Sequence, residues 1–145
     1  MIRRAPPALL ALAALLVLLP GTAAAQQLSE FTKQLTLAWA RGDAGDIAAL
    51  IADRGVSMNV AGEAAGPLQT RHASALLRRV FSDVETISVT LSSKKMQAGE
   101  PARAYLELRW VRRARGTTIP GHATVFVAVV EEDESWRITE IRLLQ

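Results

Sequence analysis

The sequence predicts one α+β domain, with helices packed on a strongly bent antiparallel sheet. Three observations predict it. The apolar period is 3.6 residues up to Ile51, switches to 2 at Val56, returns to 3.6 between Ala73 and Phe81, and stays at 2 from Ile87 onward. The later strands are separated by short turns, and short turns pair neighbouring strands antiparallel. No internal repeat or linker divides the 145 residues, a length suited to one domain.

The first 25 residues are expected to be a signal peptide and not part of the domain. Arg3 and Arg4 supply the positive start, and Leu9 to Leu19 is an unbroken apolar run. Pro20-Gly21 breaks the leader, and Ala23-Ala24-Ala25 ends it in the small-x-small pattern of a cleavage site. The run is 11 residues long, against the roughly 20 needed to span a bilayer. Secretory export to the periplasm or the exterior is therefore expected, with no stable membrane anchor after cleavage. The mature chain, 26–145, would keep 15 basic and 14 acidic side chains, so its net charge falls from +3 to +1. So small a charge gives no global field for nucleic acid or an anionic membrane. The absence of cysteine excludes disulfides, thiol catalysis and thiolate-bound metal.

The mature chain opens with a helix. Ser29 is its expected N-cap, and Leu28, Phe31, Leu35, Ala38 and Trp39 form one apolar stripe. Gly42 ends it, and Asp43 or Asp46 caps a short second helix that turns Ile47, Leu50 and Ile51 to one side. Val56, Met58 and Val60 then alternate with Ser57 and Asn59 as a half-buried strand. Two glycines and a proline between Ala61 and Pro67 make a turn, with a very short return strand reaching Leu68. Thr70 is expected to cap a third helix, whose Ala73, Leu76, Leu77, Val80 and Phe81 give the clearest amphipathic pattern in the chain.

Four strands follow. Ile87, Val89 and Leu91 mark the first, and Ala102, Ala104, Leu106, Leu108 and Trp110 the inward positions of the second. Ile119 to Val130 is the third and Trp136 to Leu144 the fourth, with a change of apolar phase between Ile138 and Ile141 that predicts a bulge.

Arg41-Gly42-Asp43, Ile47, Leu50, Ala52-Asp53, the strand from Val56 to Gly62 and the helix from Arg71 to Phe81 together resemble the NTF2-like superfamily. That superfamily comprises cone-shaped α+β rolls and includes ketosteroid isomerases, SnoaL-like cyclases and small exported proteins of unassigned activity. The resemblance spans the mature chain and implies three helices on a bent sheet, with homodimerisation through the outer sheet face. It does not carry the isomerase chemistry. The position of the isomerases' aspartate base falls on Asn59, an amide that cannot take up a proton near neutral pH. Their oxyanion-holding tyrosine falls near Leu35, which has no donor.

Other polar groups offer little chemistry. His72 and His122 are the only histidines, too few for a catalytic zinc with three protein ligands. No serine lies in a G-x-S-x-G elbow, and no glycine-rich loop fits a phosphate. The basic run Arg109 to Arg115 includes Trp110, but alternation buries Trp110, and Glu131 to Glu134 are expected to balance the arginines. No cofactor, metal or nucleic-acid partner is expected. The preferred reading is a non-enzymatic domain that binds a small apolar or amphipathic ligand, or a protein partner, through its concave sheet face. The pocket candidates are Trp39, Met58, Asn59, Leu106, Leu108, Trp110, His122 and Phe126. The alternatives are a SnoaL-like or isomerase-type enzyme using His122 with Glu107, and a structural interaction module with a filled interior.

Overall fold

The computed structural model describes residues 20–145; residues 1–19, most of the expected leader, lie outside the described residues. The elements run α1 (Pro20–Ala40), α2 (Ala44–Ala48), β1 (Val56–Val60), β2 (Glu63–Leu68), α3 (Thr70–Ser82), β3 (Val84–Gln97), β4 (Arg103–Ala114), β5 (Gly121–Glu132) and β6 (Ser135–Leu144). The architecture is α+β: three helices packed on one bent, mostly antiparallel sheet, in the strand order β2-β1-β6-β5-β4-β3.

Helix α1 does not start at Ser29. It runs through that residue, because the Ala-Gln sequence ahead of it favours helix and Leu28 is buried in the core. The Ser29 hydroxyl instead accepts a hydrogen bond from Lys94 Nζ on β3, at 3.1 Å. At the other end Gly42 adopts φ +63°, the amide of Gly42 donates to the Trp39 carbonyl and that of Asp43 to the Ala38 carbonyl. This pair of bonds is a Schellman ending, which closes α1 where the glycine predicts. Asp43 caps α2, its carboxylate accepting from the Asp46 amide at 2.9 Å.

Strand β1 alternates buried and exposed residues as expected, and the return strand is longer than expected, at six residues. Ala61 and Gly62 both have positive φ, the primed turn that suits a two-residue hairpin. Thr70 is the first residue of α3 and not its cap; extended Gln69 takes the cap position, and its carbonyl accepts from the Ala73 amide.

β1 pairs with β6 in parallel, Met58 beside Ile141. Short turns did not foretell this, since the last strand returns to the middle of the sheet after α3 has carried the chain to its far edge. The predicted bulge falls at Thr139, where the register with β5 shifts between Ala128 and Val129. In β3 two further shifts, at Ile87 and at Ser92, break the simple alternation. Ile87 is 52% exposed and Leu91 40%, as an edge strand with bulges permits.

The core lies between the helices and one sheet face. Ala104, Leu106, Leu108 and Trp110 of β4, Val125 and Val127 of β5 and Ile138 and Ile141 of β6 meet Leu35, Trp39, Ile47, Leu77 and Phe81 there. Trp39, Phe81 and Trp110 pack edge-on with ring centroids 5.2 to 5.6 Å apart. Each such pair adds about 0.5–1.5 kcal/mol beyond area burial.

Candidate functional site

The eight pocket candidates do not line one wall, because the sheet separates them. Trp39, Met58, Leu106, Leu108 and Trp110 are on the helix-covered face and at most 2% exposed. They fill the interior against one another. Asn59, His122 and Phe126 are on the open face, in register with Arg142, Val111 and Glu107 respectively.

On that open face an Arg109 guanidinium nitrogen lies 3.3 Å from His122 Nδ1. A guanidinium only donates, so the imidazole nitrogen accepts this bond. Arg142 lies 5.5 Å over the Phe126 ring and pairs with Glu140 at 3.0 Å. His122 is exposed, and Glu107 sits further along β4, beyond Arg109. The two side chains therefore share no enclosed chamber, which is the geometry the enzyme alternative requires.

The basic run is dispersed by strand alternation. Arg109 reaches His122, Arg113 Nε donates to Glu85 Oε2 at 2.7 Å, and an Arg115 nitrogen lies 3.9 Å from Glu85 Oε1. Among the described residues, no ion pair joins Glu131 to Glu134 with these arginines, so the expected balance is not made there. That turn stands at the opposite end of β5 from the arginines, because each hairpin reverses the strand direction.

Arg112 is different. It follows Trp110 in the inward phase of β4, and its guanidinium carbon lies 4.7 Å from the Trp110 ring centroid. Partial burial draws its pKa below the ordinary guanidinium value, since the charged form loses water there. Among the described residues no carboxylate stands within ion-pair distance of it. Arg112 lines a cleft of about 260 Å³ between α3, the β1–β2 hairpin and the end of β6. Val60, Leu76, Val80 and Leu143 form the apolar wall, and the charged groups of Glu63, Arg79 and Asp83 rim it from exposed positions. The sequence carried a signal for this residue: an arginine continuing the Ala104, Leu106, Leu108, Trp110 series is placed inward by period-2 alternation.

A cleft of about 370 Å³ between β1, β2 and β6 is lined by two of the pocket candidates, Met58 and Asn59, together with Glu140 and Arg142. Two larger clefts lie outside the sheet interior. One, of about 610 Å³, runs between the middle of α1, Leu50 and the β5–β6 turn, beside Trp136. The other, of about 630 Å³, lies where the end of α1, α3, the start of β3 and the end of β4 meet.

Helices on one face of a bent six-stranded sheet, with a cleft at the rim, define the class of α+β rolls. Solved structures narrow this to the NTF2-like fold, with no assigned activity. A DUF4783 family protein from Bacteroides uniformis superposes with a TM-score of 0.65 at 12% identity, covering 78% of this chain and 94% of that one. A hypothetical protein with a ketosteroid isomerase-like fold from Catenulispora acidiphila, solved with trimethylamine, gives 0.61 at 17% identity, covering 80% and 85%. An NTF2-like protein of unknown function from Shewanella oneidensis gives 0.60 at 16%, covering 82% and 97%. No family model and no curated protein matches the sequence. At these identities the likeness concerns the fold alone.

Proposed function

We propose that this protein is an exported, non-enzymatic binding domain that takes a small amphipathic molecule in the Arg112 cleft. The apolar body of the ligand packs on Val60, Leu76, Val80 and Leu143, and its acidic head meets the guanidinium. One observation carries this reading. Arg112 is a partly buried cation with an aromatic ring beneath it, at the head of an apolar wall, and among the described residues no carboxylate stands within ion-pair distance of it. A charge partly withdrawn from water and not ion-paired costs free energy, and an anionic ligand offsets that cost. The cleft is small beside the ~300–1,000 Å³ of drug-sized sites, so the ligand is correspondingly small.

The test is native mass spectrometry of the purified protein, compared with the same sample after denaturation. A small acidic molecule released on denaturation, and missing from Arg112→Gln, supports the reading. An empty wild-type chain that also fails to bind octanoate in titration calorimetry rejects it.

Export with cleavage after Ala25, and homodimerisation through the open sheet face, complete the proposal. The dimer is supported by exposed Tyr105 and Leu144 beside half-buried Val111 and Phe126 on that face. Light scattering on the mature chain and on Phe126→Glu tests it: a dimer converted to a monomer is expected, and a monomeric wild type ends the idea.

A further inference from the structure

The 630 Å³ cleft brings together four arginines from three separate stretches of the sequence: Arg41 at the end of α1, Arg78 on α3, and Arg113 and Arg115 at the end of β4. One carboxylate, that of Glu85, lines it with them. Ser82, Thr86, Phe81, Val84 and the exposed apolar side chain of Ile87 also line it. Surfaces ordinarily intersperse the two signs. Four cations around one anion repel one another, and among the described residues no further carboxylate lines the cleft.

Two of the guanidinium groups are held in place. Arg115 Nε donates to the Ser82 carbonyl at 2.8 Å, and Arg113 Nε donates to Glu85 at 2.7 Å. Arg41 is tied at 3.0 Å to Asp46, which lies outside the cleft lining. Among the described residues Arg78 makes no ion pair. Each guanidinium carries five N–H donors in a rigid fork, so these bonds leave most donors unused. Forks of this kind match the paired oxygens of carboxylate and phosphate groups. The volume falls in the range of small-molecule sites.

We infer that this cleft is a second binding site, for a compact organic or inorganic anion carrying two or more negative groups. Its excess of positive charge sets it apart from the Arg112 cleft, where apolar side chains make the wall. Phosphate and polycarboxylate ligands share the required chemistry, and the experiment separates them.

The experiment is titration calorimetry of the full protein with inorganic pyrophosphate, citrate and acetate, at low and high salt. Pyrophosphate or citrate is expected to bind at least tenfold more tightly than acetate, and to weaken as salt rises; whichever is tighter names the anion class. Arg78→Gln has no ion pair to break, and it is expected to weaken the multivalent anion roughly tenfold, the worth of one charge-assisted bond. Arg78→Lys should recover part of that loss. Arg103→Gln, at the far end of β4, should change nothing. Equal affinity for acetate overturns the inference, and so does equal weakening by Arg78→Gln and Arg103→Gln, which would mean diffuse charge and no site.

Discussion

Trp136 donates its indole N–H to the carbonyl of Ala24 at 3.2 Å, tying the last strand to the first described turns of α1. Ala24 precedes the expected cleavage point, so a mature chain starting at Gln26 has no acceptor at that place. A chain beginning at Pro20 is expected to be more stable than one beginning at Gln26 by about 0.5–1.5 kcal/mol, the net worth of one hydrogen bond. Urea unfolding of both chains, each with and without Trp136→Phe, measures it as a double-mutant cycle. An equal cost of the Phe substitution in the two chains would mean the bond contributes nothing.

The two core tryptophans should respond differently to phenylalanine. Trp110 Nε1 donates to Thr86 Oγ1 at 2.9 Å, whereas the buried Trp39 indole N–H has no partner among the described residues. Trp110→Phe loses a hydrogen bond as well as volume, while Trp39→Phe removes an unsatisfied donor and recovers part of its cavity cost. The difference between their unfolding free energies is expected to be about 1 kcal/mol or more, with Trp110→Phe the weaker protein.

Two glycines are held by different causes. Gly42→Ala meets only ordinary contacts with Phe81, so its cost is the left-handed backbone alone, about 1–2 kcal/mol. At Gly66 a Cβ would stand 2.8 Å from the Ser57 Cα, in a backbone of φ +150°. Gly66→Ala should therefore lower the unfolding midpoint further than Gly42→Ala, and a ranking in the other order would mean the hairpin yields easily.

Stability should depend on pH through Glu85. The hydrogen bond from Arg113 first, then the Arg113 charge, lowers the Glu85 pKa, with a smaller contribution from Arg115. A lowered folded-state pKa gives stability that is present above the unfolded value and is lost as pH falls through the folded one. Wild type should exceed Glu85→Gln at neutral pH by a small, salt-sensitive margin, since the pair is at the surface. That margin should vanish in acid. Thermal melts of both proteins across the acidic range read it, and a constant gap would remove Glu85 as its source.

The local chemistry of the chain determined its elements. Gly42 ends α1 because glycine takes φ +63° without a Cβ clash, and the apolar phase change around Thr139 announced the bulge there. The alternation of β4 buried Trp110 and, read one step further, also placed Arg112 inward. The helices and strands follow from near-neighbour preferences, so composition and period suffice to order them.

Tertiary structure decided what period cannot address. A period of 2 puts residues on two faces without saying which face the helices cover, so Phe126 and His122 fell in the same candidate pocket as Leu106 and Trp110. The parallel pairing of β1 with β6 depends on where the chain returns after α3, which no local preference encodes. Arg41, Arg78 and Arg113 meet only because three elements converge at one end of the sheet. Strand and helix are set by contacts a few residues apart, whereas a site is set by contacts across the fold.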